Sequence, residues 1–85
     1  MQPYIGSVVI NTPIGVFVCL GAKVVAKQAN DAAAVRYELI LLVINGAEEY
    51  SGLWTEDRKV LDVYLTGISN ALSRGDRSVD LVPHE

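Results

Sequence analysis

The 85-residue sequence predicts a small, mainly α-helical domain, with three helices near residues 13–29, 32–49 and 56–74 after a short extended N-terminus. Three observations carry that prediction. Apolar residues recur at spacings of three and four between Val60 and Leu72, with a stop signal at each end. Strong helix formers fill residues 32–49. A Thr-Pro pair at 12–13 places proline where the first helical residue tolerates it. The alternative is α+β, an N-terminal β-hairpin packed on two helices.

The first thirty residues support both versions. "YIGSVVI" is short and β-branched and reads as extended. In "NTPIGVFVCLGAKVVAKQAN", Thr12 serves as N-cap and Pro13 as the first helical residue. Ala22, Ala26, Ala29 and Ala33 then line one face as a small-residue stripe. As a hairpin, "NTPIG" is the turn and "VFVCL" the returning strand, supported by Gly15, Gly21 and the β-rich Val16–Val18. A hairpin to about residue 20, followed by a helix to Asn30, reconciles the two.

In the middle segment, Asp31 is placed to cap "AAAVRYELILLVINGAEEY". Leu39 to Ile44 are consecutive apolar residues. At about 100° per residue they cover every side of a helix, and such a helix has to be covered all round. This predicts that 32–49 is the most buried element and part of a homo-oligomer interface, with Leu39, Leu42 and Ile44 as its contact residues.

The last helix has the clearest ends. Thr55 is the expected N-cap, Glu56 and Asp57 suit the positive end of the helix dipole, and Arg74-Gly75 marks the stop. Val60, Leu61, Tyr64, Leu65, Ile68, Ala71 and Leu72 form the apolar face, with Val63 the one violation. Residues 76–85 lack periodicity and read as a flexible or loosely docked tail. No linker or repeat divides the chain, so residues 1–85 are expected to make one domain.

Chemistry-bearing residues are sparse. Cys19 stands alone among Phe17, Val18 and Leu20 and reads as a small buried hydrophobe. His84, the sole histidine, sits one residue from the end without an orienting partner. No nucleophile–base pair, phosphate loop, calcium loop or cysteine-based metal site can be assembled. We therefore expect no catalytic residues, no metal and no cofactor. The tripeptide Arg74-Gly75-Asp76 resembles an adhesion signal, but it coincides with the helix stop.

Composition narrows the partners. The formal charge is −3 and no basic stripe exists, which disfavours nucleic acid. The apolar stretch from Ile5 to Ala26 is interrupted by Asn11, Thr12, Pro13 and Lys23, so no membrane span is expected. No export signal stands out, and a cytoplasmic location is the expectation.

The most eventful stretch is "GAEEYSGLWTEDRKV", with Glu48, Glu49, Glu56, Asp57 and nearby Asp62 around the only tryptophan. As a corner between helices it would bury Trp54 near Val60. With Trp54 exposed, Glu48, Glu49, Tyr50 and Trp54 become the candidate partner-binding residues. The expected function is a non-enzymatic protein–protein interaction module acting as a homodimer or higher oligomer, with another protein as a further partner. The rival expectations are a small-molecule binder with an inter-helix pocket, an acidic inhibitor of a basic partner, and a small enzyme using the carboxylates around Trp54.

Overall fold

A computed structural model of the chain describes residues 6–28 and 35–81. In chain order they form β1 (Val8–Thr12), β2 (Gly15–Lys27), β3 (Arg36–Val43), β4 (Glu48–Thr55), α1 (Arg58–Arg74) and β5 (Ser78–Asp80). All five strands make one sheet in the order β4-β3-β2-β1-β5. The first four strands run antiparallel to their neighbours, and β5 runs parallel to β1.

The three-helix prediction is thus overturned: where described, the segments expected as helices 13–29 and 32–49 are strands. Residues 29–34, with the expected cap Asp31, lie outside the described residues. The hairpin weighed as the second version is present, with its turn at Pro13-Ile14, but a single helix lies against the sheet instead of two.

The reason is period. Along β1 and the first half of β2, every second residue turns to the same side: Val8, Ile10, Phe17 and Cys19 face inward, while Val9, Val16 and Val18 face outward. Thr12 shapes the turn between them: its hydroxyl donates to the Gly15 carbonyl at 2.9 Å and accepts from the Ile14 amide at 3.3 Å. The run Leu39–Ile44 is not a helix apolar all round. Leu39 and Leu41 point inward and are fully buried, and Ile40 and Leu42 point outward. A run of four to eight apolar residues is equally compatible with a strand that has apolar neighbours on both faces. Asn45-Gly46, which falls inside the expected helix 32–49, is the turn of the β3–β4 hairpin. Gly46 has φ +91°, its amide donates to the Val43 carbonyl at 3.0 Å, and Asn45 Oδ1 accepts from the Ala47 amide.

Two bulges bend the sheet. In β2 the register passes from Cys19–Val43 to Gly21–Leu42, which leaves Leu20 as the extra residue. In β4 the register passes from Glu38–Trp54 to Ile40–Tyr50, so Leu39 alone faces Ser51, Gly52 and Leu53. Buried Ser51 is satisfied there by accepting from the Leu53 amide at 3.2 Å. Gly52 has φ +85°, and a Cβ at that position would lie 2.8 Å from Ile14 Cγ2. The β1–β2 turn therefore rests on β4, two strands away in the sheet order, and the sheet curls to allow it.

The helix is close to its expectation. It starts at Arg58, with Asp57 as the N-cap accepting from the Lys59 amide at 3.0 Å; Thr55 acts one step earlier, accepting from the Asp57 amide. It ends at Gly75, as predicted. Leu61, Ile68 and Ala71 are buried against Val8, Ile10, Cys19, Leu39, Leu41, Leu53 and Leu81. Val60, assigned to the apolar face, is instead exposed. Of the segment read as a tail, Ser78–Asp80 pair with β1 and Leu81 is buried in the core; residues 82–85, including His84, lie outside the described residues.

Candidate functional site: the outer face of the sheet

Helix α1 covers one face of the sheet. Among the described residues nothing covers the other. Strand register decides what stands there: Val9 and Asn11 from β1, Val16, Val18, the bulged Leu20, Lys23, Val25 and Lys27 from β2, Arg36, Glu38, Ile40 and Leu42 from β3, Glu48, Tyr50 and Trp54 from β4, and Ser78 and Asp80 from β5.

This outer face has two unlike halves, divided by the β2 bulge. On the β3–β4 side it is laced by charge. Lys23 Nζ reaches Glu48 Oε2 at 2.7 Å, crossing β3 above Ile40 and Leu42. Glu38, only 8% exposed, receives Lys27 Nζ at 3.0 Å and Arg36 Nε at 2.9 Å. A carboxylate so enclosed is tolerable because two cations compensate its lost hydration. The Arg36 guanidinium also lies 4.3 Å from the Trp54 ring centroid and donates to the Tyr50 hydroxyl at 3.3 Å. On the β1 side the face carries Val9, Val16, Val18 and Leu20. No charged side chain stands between them, and the Asn11–Asp80 hydrogen bond of 2.6 Å lies at the margin.

The four candidate partner-binding residues all lie on β4, the edge strand, but they do not form one patch. Glu48 is opposite Leu42 and Glu49 opposite Leu41, so their side chains leave opposite faces. Tyr50 and Trp54 share the outer face with Glu48. Trp54 is 50% exposed beneath Arg36 and does not fold back toward Val60. Of the candidate interface residues, Leu39 is fully buried inside the protomer, whereas Leu42 and Ile44 are half-buried, Leu42 on the outer face. Sequence reasoning missed Arg36, Lys27 and Glu38, and missed Val16, Val18 and Leu20. For the valines the signal was present as strict alternation with Phe17 and Cys19.

The acids do not gather into a cleft. Asp62 pairs with Arg58 at 3.5 Å one helical turn away, Asp57 caps α1, and Asp76 pairs with Arg74 at 2.7 Å around the helix stop. Among the described residues no group of His, Cys, Asp and Glu is placed to hold a metal, and no pocket is found. With one helix described, the pocket imagined between helices has no second wall. Burial of Cys19 on the inner face pushes its thiol up to about 11, so it stays protonated at neutral pH. No helix among the described residues is long and apolar enough to cross a membrane. Comparison with protein-family models, with curated proteins and with solved structures finds no match to this chain.

Proposed function

We propose that the chain is a non-catalytic interaction module that works as a homo-oligomer. The observation that supports this reading is the uncovered outer face, where Val16, Val18 and Leu20 remain 65, 37 and 49% exposed. Three neighbouring large aliphatic side chains on one sheet face form a patch rather than scattered surface residues. Covering what is still exposed of them is worth about 2–4 kcal/mol per copy. Two copies gain roughly twice that, against an association cost of about 4–15 kcal/mol. From these three residues the net gain is at most about 4 kcal/mol, a Kd of roughly 1 mM, so the association is expected to be weak and reversible.

The core of the protomer bears on how the oligomer forms. Leu39 and Leu41 are covered by the chain's own helix. Assembly across a shared helical core, as the apolar run suggested, gives way to association of folded protomers. Sedimentation equilibrium over a wide concentration range is the direct check. A weight-average mass that rises from 9.2 kDa with concentration supports the reading. A constant monomer mass up to about 3 mM, above that Kd, removes it. A second protein is a further partner of the same module, and the exposed Trp54 under Arg36 favours that site, because Trp and Arg dominate binding hot spots.

A further inference from the structure

We propose that the occupant of the outer face is a second copy of this chain, packed face to face as a two-fold sandwich with Val16, Val18 and Leu20 at its centre. This inference rests on the oligomer reading above and specifies its geometry. A sheet protein can associate through either edge or through an open face. Both edges here are blunted. On β4, the adjacent Glu48 and Glu49 and the bulge at Gly52 would set like charges and a broken ladder against any copy of the same strand. On the far side β5 is three residues long, and its Asp80 is tied to Asn11. Short edges and edge charges are the devices by which sheets avoid edge pairing. The inner face is filled by α1.

The electrostatics of the outer face select a copy of itself. Its cations Lys23, Lys27 and Arg36 are already matched within the chain by Glu48 and Glu38. With Asp80 on β5, whose carboxylate accepts from Asn11, the charges on the described part of this face stand three against three and leave no net charge to recruit a partner of opposite sign. The one charge described in its β1 half is Asp80, at the β5 margin, so a two-fold centred on Val16, Val18 and Leu20 brings no like charges together at its centre. Size agrees. At strand spacings of about 4.8 Å and about 3.3 Å per residue, the face offers roughly 550 Å² per copy. Two copies then bury at most about 1,100 Å², an upper bound because the bulge at Leu20 bends the face, against the roughly 1,000 Å² expected of a biological interface. The bare half alone is too small, so Ile40, Leu42 and the charge-laced half become the rim. Aligned sheets cross at about −30° with their backbones about 10 Å apart.

The test uses the full chain in two arms. In sedimentation equilibrium, Leu20→Lys and Val18→Lys should each hold the mass at the monomer value, with an unchanged circular dichroism spectrum. In the second arm, on a Cys19→Ala background, Leu20→Cys should be joined into a covalent dimer by a short bis-maleimide, which spans the gap between two packed sheets that a direct disulfide does not, because residues near the two-fold face their own mates. Val63→Cys, on the exposed side of α1 at 71% exposure, should stay monomeric in the same conditions. Should the lysine variants unfold, the crosslinking arm decides alone. A wild-type oligomer that Leu20→Lys leaves intact, or equal crosslinking at positions 20 and 63, overturns the sandwich while the oligomer reading stands. A wild-type chain that stays monomeric overturns both.

Discussion

The two faces of the same sheet are built from nearly the same side chains. Inward stand Val8, Ile10, Cys19, Leu39 and Leu41; outward stand Val9, Val16, Val18, Ile40 and Leu42. One set is buried under α1. The other is half-covered by neighbouring strands, by the stems of Lys23 and Glu48 and, on the β1 side, by nothing described. Identical chemistry thus yields a core on one side and a candidate interface on the other. What separates them is whether a second layer arrives, because the gain from burial follows the area removed from water.

This comparison can be broken most directly by truncating one leucine on each face. Leu41→Ala empties a fully buried position beneath α1 and should cost about 2–5 kcal/mol in denaturant unfolding. Leu20→Ala, half-exposed at the bulge, should cost under about 1 kcal/mol at concentrations where the chain is monomeric. Equal losses at the two positions would show that the faces are not energetically distinct.

A smaller effect probes the place where the curl of the sheet is held. Gly52→Ala forces a side chain into left-handed backbone, at about 1–2 kcal/mol, and drives its Cβ against Ile14. Adding Ile14→Ala should restore the part that comes from the contact and leave the part that comes from φ. If the double variant is no more stable than the single one, the β1–β2 turn does not bear on β4.

The smallest effect distinguishes Cys19 from its outward neighbours by pH. Its thiol sits at about 11 when folded, raised by burial from an ordinary 9.0. The folded chain therefore holds this proton more tightly than the unfolded one. The linked stability is fully present below pH 9 and is lost as the pH rises toward 11. The loss should reach about 1 kcal/mol by pH 10. Cys19→Ala should flatten that part of the profile relative to wild type, measured as unfolding midpoints at pH 8 and pH 10. An unchanged difference between the two proteins would place the thiol in contact with water.

Helix α1 was legible in the sequence almost to the residue, because caps and the 3.6-residue period are local. The apolar residues of its inner face were legible too, apart from Val60. Strands were harder. Six apolar residues from Leu39 to Ile44 satisfy a helix and a strand equally, and abundant Ala, Leu and Glu tipped the reading toward helix. Helix propensity is a weak prior that pairing partners override. Asn45-Gly46 between two apolar runs was the signal that would have turned the reading, since that pair favours the hairpin turn it occupies. The candidate site was legible only in part. Trp54 and Tyr50 were singled out, but their companion Arg36 lies far enough back in the chain that only the β3–β4 pairing brings it over the ring.

By itself the sequence determined the most local events: where α1 ends and, to within two residues, where it begins, while the turn at Thr12–Gly15 was only one of two versions it offered. Only the tertiary structure decided that β5 lies parallel beside β1, that Glu38 collects two cations, and that the outer face is left open. Those outcomes depend on contacts between residues distant in the chain. Their closure entropy is offset only when the whole sheet assembles. No window of neighbouring residues records which of two apolar faces the helix will cover.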